Sequence, residues 1–216
     1  MGAPGLTSPI RADAFKNLQL NAGIFLTGLD YSDIADADAL KTAIAAEVQD
    51  GTNILGVTRG GGTFTVTRET RTPEIDGMRY PFKGSDFVDS ADAYLSGTLL
   101  EVNAKNFKLL LGTGDVTTSG DKTTVTMRTA IDPATDYIDK LCWVGDISGG
   151  QMVLIELDNA FNTSDFSLTF TDKGEGTMTF EFHARQSDSV VLTINLTTCG
   201  INFDVTCCYY VLCHFA

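Results

Sequence analysis

Hydrophobic residues in this chain recur mostly at every second position, and the polar residues between them are mostly threonine. Residues 63–67 set Phe64 and Val66 between threonines, the two-residue period of a half-buried strand. Residues 123–129 repeat the pattern around Val125 and Met127. Residues 176–184 put Met178, Phe180 and Phe182 on one face, with Thr179, Glu181 and His183 on the other. Residues 19–26, 94–102, 140–144, 152–157, 166–170 and 190–196 also read as strands. Residues 146–150 and 171–175, each rich in Asp, Gly and small polar residues, supply hairpin connections.

The period lengthens in two places. Leu40, Ile44 and Val48 recur every four residues, which predicts a helix that Asp36 caps, Asp38 favours at its positive end and Gly51 terminates. A single apolar stripe with polar flanks places that helix on the outside of a sheet. Asn103 and Gly112 bracket a second, short helix around Phe107, Leu110 and Leu111. Residues 68–83 hold Pro73, Pro81, Gly77 and several charges, so 59–83 is expected to carry a long loop or hairpin excursion. With about eight or nine strands and two helices, the fold class is mainly β: an antiparallel sandwich or barrel-like domain with one flanking helix and a second short one. No internal repeat or long linker divides the chain, so residues 1–216 are expected to form one domain.

Composition narrows the function. The chain has 216 residues, 43% hydrophobic and 20% charged, enough to bury a core. Its formal net charge is −13, and residues 109–216 hold 14 acidic against 5 basic side chains. That field repels nucleic-acid phosphates and argues against sequence-specific DNA binding. Residues 59–83 are locally basic: Arg59, Arg68, Arg71, Arg79 and Lys83 outnumber Glu69, Glu74 and Asp76. No run approaches the ~18 apolar residues of a membrane helix, so no membrane anchor is expected. The first residues lack signal-peptide character, which predicts a chain made and kept in the cytosol.

Catalytic and ligand chemistry is sparse. His183 and His214 are the two histidines, and neither accompanies a nucleophile-elbow serine; Gly145, Asp146, Ile147, Ser148 and Gly149 come near the motif but lack its spacing. His183, on an alternating strand, reads as a surface or interface residue. Gly60, Gly61 and Gly62 lead into a strand, not a helix, and no phosphate-loop lysine follows; they fit a close backbone approach or a hinge. Asp30, Asp33, Asp36 and Asp38 lack the glycine and terminal glutamate of a calcium loop. Cys142 lies in an apolar run and reads as a small buried hydrophobe. Cys199, Cys207, Cys208, Cys213 and His214 form the sharpest metal candidate, yet adjacent Cys207 and Cys208 would point to opposite faces of a strand. The expectation is therefore no catalytic residue, no cofactor and no metal.

Longer segments carry a resemblance. Residues 59–71 (Arg-Gly-Gly-Gly-Thr-Phe-Thr-Val-Thr-Arg-Glu-Thr-Arg), running into 77–95, together with 170–186, resemble a major tail tube protein of long-tailed (siphovirus-type) bacteriophages and prophages. The likeness spans residues 1–186; the Cys-rich apolar segment 187–216 departs from it. The resemblance implies a structural virion protein whose subunits join into hexameric rings and stack as the conduit for DNA ejection. It also implies assembly in the host bacterial cytoplasm and residence in the virion tail. The partners it implies are other copies of the chain, a tape measure, a tail terminator and distal tail proteins, with DNA passing transiently through the lumen. Two alternatives share the β-rich pattern: the inner tube of a contractile injection system, and a sugar-binding β-sandwich module, which would present a cluster of exposed aromatics where this chain has only Trp143 as tryptophan. A conduit wall would be acidic, with Glu156 and Glu181 among the residues expected to line it, and the basic excursion would reach a neighbouring subunit.

Overall fold

The computed structural model describes residues 15, 18–28, 37–148, 151–185 and 195–199, the last five by backbone alone. The chain is mainly β with antiparallel pairing throughout, as its alternation predicts. Among the described residues the strands are β1 (Ile24–Thr27), β2 (Thr58–Arg71), β3 (Phe87–Leu99), β4 (Gly114–Ser119), β5 (Lys122–Met127), β6 (Ile138–Ile147), β7 (Gln151–Asn162), β8 (Leu168–Thr169), β9 (Thr177–His183) and β10 (Asn195–Cys199). Two helices, α1 (Ala37–Asp50) and α2 (Ala104–Leu111), complete it. The large sheet runs β1-β6-β7-β9-β3-β2, with β10 beside β7 and β8 beside β9; β4 and β5 form a separate two-stranded sheet.

Strand β7 makes the corner of the large sheet. As far as Ala160 it pairs with β6, whereas Phe161 and Asn162 pair with β9. Just before the change of partner Asn159 adopts a left-handed backbone, φ 49°, which asparagine tolerates better than most side chains. Its side chain holds the bend by donating to the Arg185 carbonyl, 3.2 Å. The corner brings the two halves face to face around one core. That core takes Phe25 from β1, Leu141 from β6, Leu157 from β7, Leu95 and Leu99 from β3, and Met178, Phe180 and Phe182 from β9. The rings of Phe25 and Phe180 meet edge-on at 5.2 Å.

Alternation along β1, β6 and β7 gives their half of the sheet a second buried face. Leu26, Cys142, Val144 and Leu154 point away from the main core and pack under Leu40 and Ile44 of α1. The helix lies on the outside of the sheet, as its stripe predicts, and ends with the Gly51 N–H bonded to the Glu47 carbonyl, 2.8 Å. Val48 does not join the stripe; it is exposed. At 3.6 residues per turn, eight positions beyond Leu40 carry it about 80° around the helix and off the sheet. Asp36, the expected cap, lies outside the described residues.

The brackets expected for α2 are both present. Asn103 Oδ1 accepts the Asn106 N–H, 2.7 Å, and Gly112 takes a left-handed backbone, φ 70°, at the other end. Half-buried Lys105 and buried Asn162 anchor the helix. The Lys105 ammonium donates to the carbonyls of Thr52 (2.7 Å) and Ile54 (3.3 Å), and Asn162 Nδ2 donates to the Leu110 carbonyl, 2.7 Å.

Several boundaries differ from the sequence reading. The excursion begins at residue 72, because β2 continues through Arg71, and the following strand starts at Phe87 instead of residue 94. Polar residues on both faces hide this stretch from a periodicity search. The first strand is shorter than 19–26, β4 was not expected, and of residues 166–170 only Leu168 and Thr169 are extended. The strand expected over 190–196 falls mostly outside the described residues.

Close packing of the two halves depends on glycine. A Cβ on Gly62 would stand 2.5 Å from the Phe25 ring, and one on Gly97 2.7 Å from the Phe180 ring. Gly62→Ala and Gly97→Ala should each destabilise the fold by about 1–3 kcal/mol through overpacking. Urea unfolding would show a lower midpoint at unchanged slope; an unmoved midpoint in both variants would contradict the packing.

Candidate functional site

The chemistry-bearing residues collect on three features: an open strand edge, the polar face beside it, and the loop at its end. Strand β2 is 14 residues long and, among the described residues, pairs only with β3. At the opposite end of the sheet β1 is closed, since its backbone exchanges bonds with the segment after α1. The Leu55 N–H donates to the Phe25 carbonyl (2.9 Å) and the Thr27 N–H to the Asn53 carbonyl (2.7 Å). Near its start β2 bulges: the register slips between Thr58 and Gly62, and Gly60 and Gly61 have φ of 76° and 75°. The triple glycine therefore provides both a bulge and the close approach at Gly62 described above. From Gly62 onward the edge is straight enough to stay paired to Glu69 without a slip.

Because the core takes alternate residues, the other residues of β2, β3 and β9 share the outward face. Register places Thr65, Tyr94 and His183 in one row and Thr63, Ser96 and Glu181 in the next; Thr98 lies opposite Thr179, and Thr67 opposite Asp92. Hydroxyls and carboxylates dominate this face. His183 sits in it between two carboxylates: its Nδ1 is 2.6 Å from Asp92 Oδ2 and its Nε2 2.8 Å from Glu181 Oε1. Its ring stacks on Tyr94 with centroids 4.7 Å apart, and Arg185 approaches Asp92 at 3.6 Å. An ionised carboxylate only accepts hydrogen bonds, so a neutral ring donates to one partner and an imidazolium to both. The cluster braces β3 against β9 and leaves Asp92 and Glu181 partly exposed.

Glu156, expected on a conduit wall, is elsewhere. It lies on the α1 side of the sheet, 1% exposed, with Oε1 accepting from Lys140 Nζ at 2.9 Å. Lys140 also bonds Asp158. Burial opposes the lysine's charge, but the hydrogen bonds to Asp158 and Glu156 outweigh it and raise its pKa above the ordinary value. Cys142 is fully buried as expected, and its thiol points toward Glu156 Oε2 at 3.8 Å. Burial, followed by the Glu156 charge, pushes its pKa well above the ordinary thiol range. Glu156 is thus a structural charge inside the subunit and cannot face a channel. Nothing in the local sequence shows that Glu156 lies on the opposite side of the sheet from Glu181, buried and bonded to Lys140.

The excursion between β2 and β3 is more apolar at its tip than its charge suggests. Tyr80, Phe82 and Ile75 are exposed, as are Phe87 and Val88 at the start of β3. Its base is tied by Arg71 Nε to Asp89 (2.7 Å) and by Thr72 to Asp86. Trp143 is not an exposed platform; its Nε1 donates to the Ala22 carbonyl at 3.1 Å and its ring packs against the core. Ser148, in the near-elbow sequence, bonds Leu18 and Phe15. No group of three or more His, Cys, Asp or Glu that could hold a metal occurs among the described residues. Asp30, Asp33, Cys207, Cys208, Cys213, His214 and the side chain of Cys199 lie outside them. The sequence does not single out Asp92, Tyr94, Lys140 or Arg185 as site residues; Tyr94 opens the strand expected over 94–102, and Asp92 lies just before it.

Compared with known protein families and with curated proteins, the chain matches none.

Lys140→Met should strand the buried Glu156 carboxylate. A fully buried pair broken this way costs roughly 3–5 kcal/mol, and the partial exposure of Lys140 keeps the expected loss near the lower end, about 3 kcal/mol. Lys140→Met with Glu156→Leu should recover most of it. A pair of variants with equal losses would contradict the buried-charge account. The raised Cys142 pKa gives a second check. An unfolded thiol ionises near its ordinary value of 9.0 while the folded one stays protonated, so this group's contribution is intact below that pH and is lost above it. Alkylation mapped by peptide mass should accordingly spare Cys142 in the folded protein at pH 8 and modify it at once in urea.

Proposed function

We propose that this chain is a structural subunit that assembles with copies of itself, in the manner of a phage tail tube. The observation that carries this reading is the open β2 edge. Long, flat edge strands invite pairing with another chain, and monomeric proteins blunt them with proline, inward charges or short length. From Gly62 to Glu69, between its two register shifts, β2 has neither proline nor shortness; Thr63, Thr65 and Thr67 alternate with Phe64, Val66 and Arg68. One closed end and one open end also suit a subunit whose contacts run head to tail. Such contacts close into a ring when the rotation allows, and rings with complementary faces stack without limit.

Two further features suit a conduit. The outward face of β2, β3 and β9, with its hydroxyls and the carboxylates of Asp92 and Glu181, offers DNA little to grip, because tight phosphate binding requires lysine and arginine. At physiological salt its repulsion reaches only about 8 Å, so it lubricates passage without barring entry. In this reading that face is the channel wall, with Glu181 on it and Glu156 not. The apolar tip at Ile75, Tyr80 and Phe82 provides contact area between successive rings.

Negative-stain microscopy of the concentrated protein should show rings or tubes, and deletion of residues 72–77 should leave folded subunits or rings that no longer stack. Monomers at high concentration by light scattering would defeat the proposal. Unimpaired tubes from the deletion would defeat the role given to the loop. A reconstruction with the β2, β3 and β9 face on the outside of a tube would defeat the role given to that wall.

A further inference from the structure

An open edge requires a partner edge, and the fold restricts which one a second copy can offer. The β1 edge is occupied by the Asn53–Leu55 backbone. Strand β8 has two residues. Strand β10 offers five, Asn195 to Cys199, with no charged side chain. A second copy also offers its own open β2, but pairing β2 with β2 is an isologous contact that closes on a dimer and cannot continue head to tail. That leaves, among the described residues, the β4–β5 hairpin, a sheet of its own whose contacts with the rest of the fold are mainly to α2. A two-stranded hairpin is marginal in water unless something else packs on it. This one leaves Val116 and Met127 substantially exposed, 41% and 68%.

Side-chain chemistry matches β4 to β2. Strand β2 alternates Thr63, Thr65 and Thr67 and carries Arg59, Arg68 and Arg71 against one acidic residue, Glu69; β4 carries Thr117, Thr118 and Asp115, the last already bonded to Arg128 at 3.0 Å, and no basic residue. Strand β5 begins with Lys122, which would face the arginines unfavourably. Arg68 and the hairpin's Asp121 form no ion pair with any described residue of their own subunit. Threonine pairs and opposite charges are the combinations that stabilise neighbouring strands, each by a few tenths of a kcal/mol to about 1 kcal/mol. Six residues of β4 extend about 20 Å, which fits along the stretch of β2 from Gly62 to Glu69 between its two register shifts.

We infer that the free edge of β2 pairs with the free edge of β4 from a second copy, so that the large sheet continues from one subunit into the hairpin of the next. The inference rests on the self-assembly reading and specifies the surface that carries it. Each subunit then presents one donor edge and one acceptor hairpin at different places, the condition for a head-to-tail contact.

The test places a photoactivatable benzoylphenylalanine at Thr67, an exposed position on β2, in full-length protein. Mixing light and heavy isotope-labelled subunits before irradiation identifies crosslinks between copies, and circular dichroism confirms that the variant is folded. In assembled rings, mixed-isotope crosslinks should fall on residues 114–119. Rings whose crosslinks fall on 58–71 of the second copy or on any segment other than 114–119, or that give no crosslink between copies, would overturn the β2–β4 pairing and leave the ring reading standing. Wild-type protein that forms no assembly would overturn both.

Discussion

The fold depends on one contact in which the two ends of a bent sheet close on each other. Phe25, at the edge strand β1, inserts its ring over Gly62 of β2 and meets Phe180 of β9 edge-on. Neither β1 nor β2 neighbours the other in the sheet, so this contact exists only because Asn159 turns β7 through the corner. Burying a phenylalanine side chain contributes roughly 1.5–3 kcal/mol, and three of them, Phe25, Phe180 and Phe182, are nearly inaccessible here. A side chain larger than hydrogen at Gly62 or Gly97 would wedge the halves apart.

That closure also decides which edges are left. Holding Phe25 in place requires β1 to be fixed on both sides, by β6 and by the backbone of residues 53–55, and the segment after α1 is itself pinned by Lys105. One end of the sheet is thus occupied. Strand β2, which supplies only Gly62 and Phe64 to the interior, is held on the β3 side alone. Its outward face shares hydroxyls with β3 and β9, and its far end leads into a loop that exposes Tyr80 and Phe82. The asymmetry between a closed end and an open end follows from packing inside the subunit, before any partner is considered.

Much of this was legible in the sequence where one physical signal acted alone. The period-two pattern of Met178, Phe180 and Phe182 gave the core face of β9 correctly, and Asn103 with Gly112 fixed both ends of α2, because capping is a local property. Legibility failed where tertiary context decides. Residues 89–92 (Asp-Ser-Ala-Asp) put polar side chains on both faces, so β3 is legible only from Tyr94 onward and its first half is defined by pairing with β2. Val48 seemed part of a stripe that helical geometry rotates out of contact. Glu156 was expected on an exposed wall because nothing local announces its burial and its bond to Lys140. The corner beside Asn159 left no signal, because a single asparagine does not mark where a strand changes partners. The polar face around His183 was half visible: Glu181 and His183 stood out by alternation and Tyr94 fell in the expected strand, whereas Asp92 lies in the half of β3 that carries no periodic signal.

The central claim is that β2 is an open edge in the subunit and a paired strand in the assembly. Amide hydrogen exchange measured on dilute monomer and on assembled protein addresses it directly, because an edge strand bonds its neighbour with only alternate amides and leaves the others to solvent. The account predicts that peptides covering residues 62–71 exchange at least about tenfold more slowly after assembly, while core peptides of β9 change little. Equal exchange of residues 62–71 in monomer and assembly would contradict it.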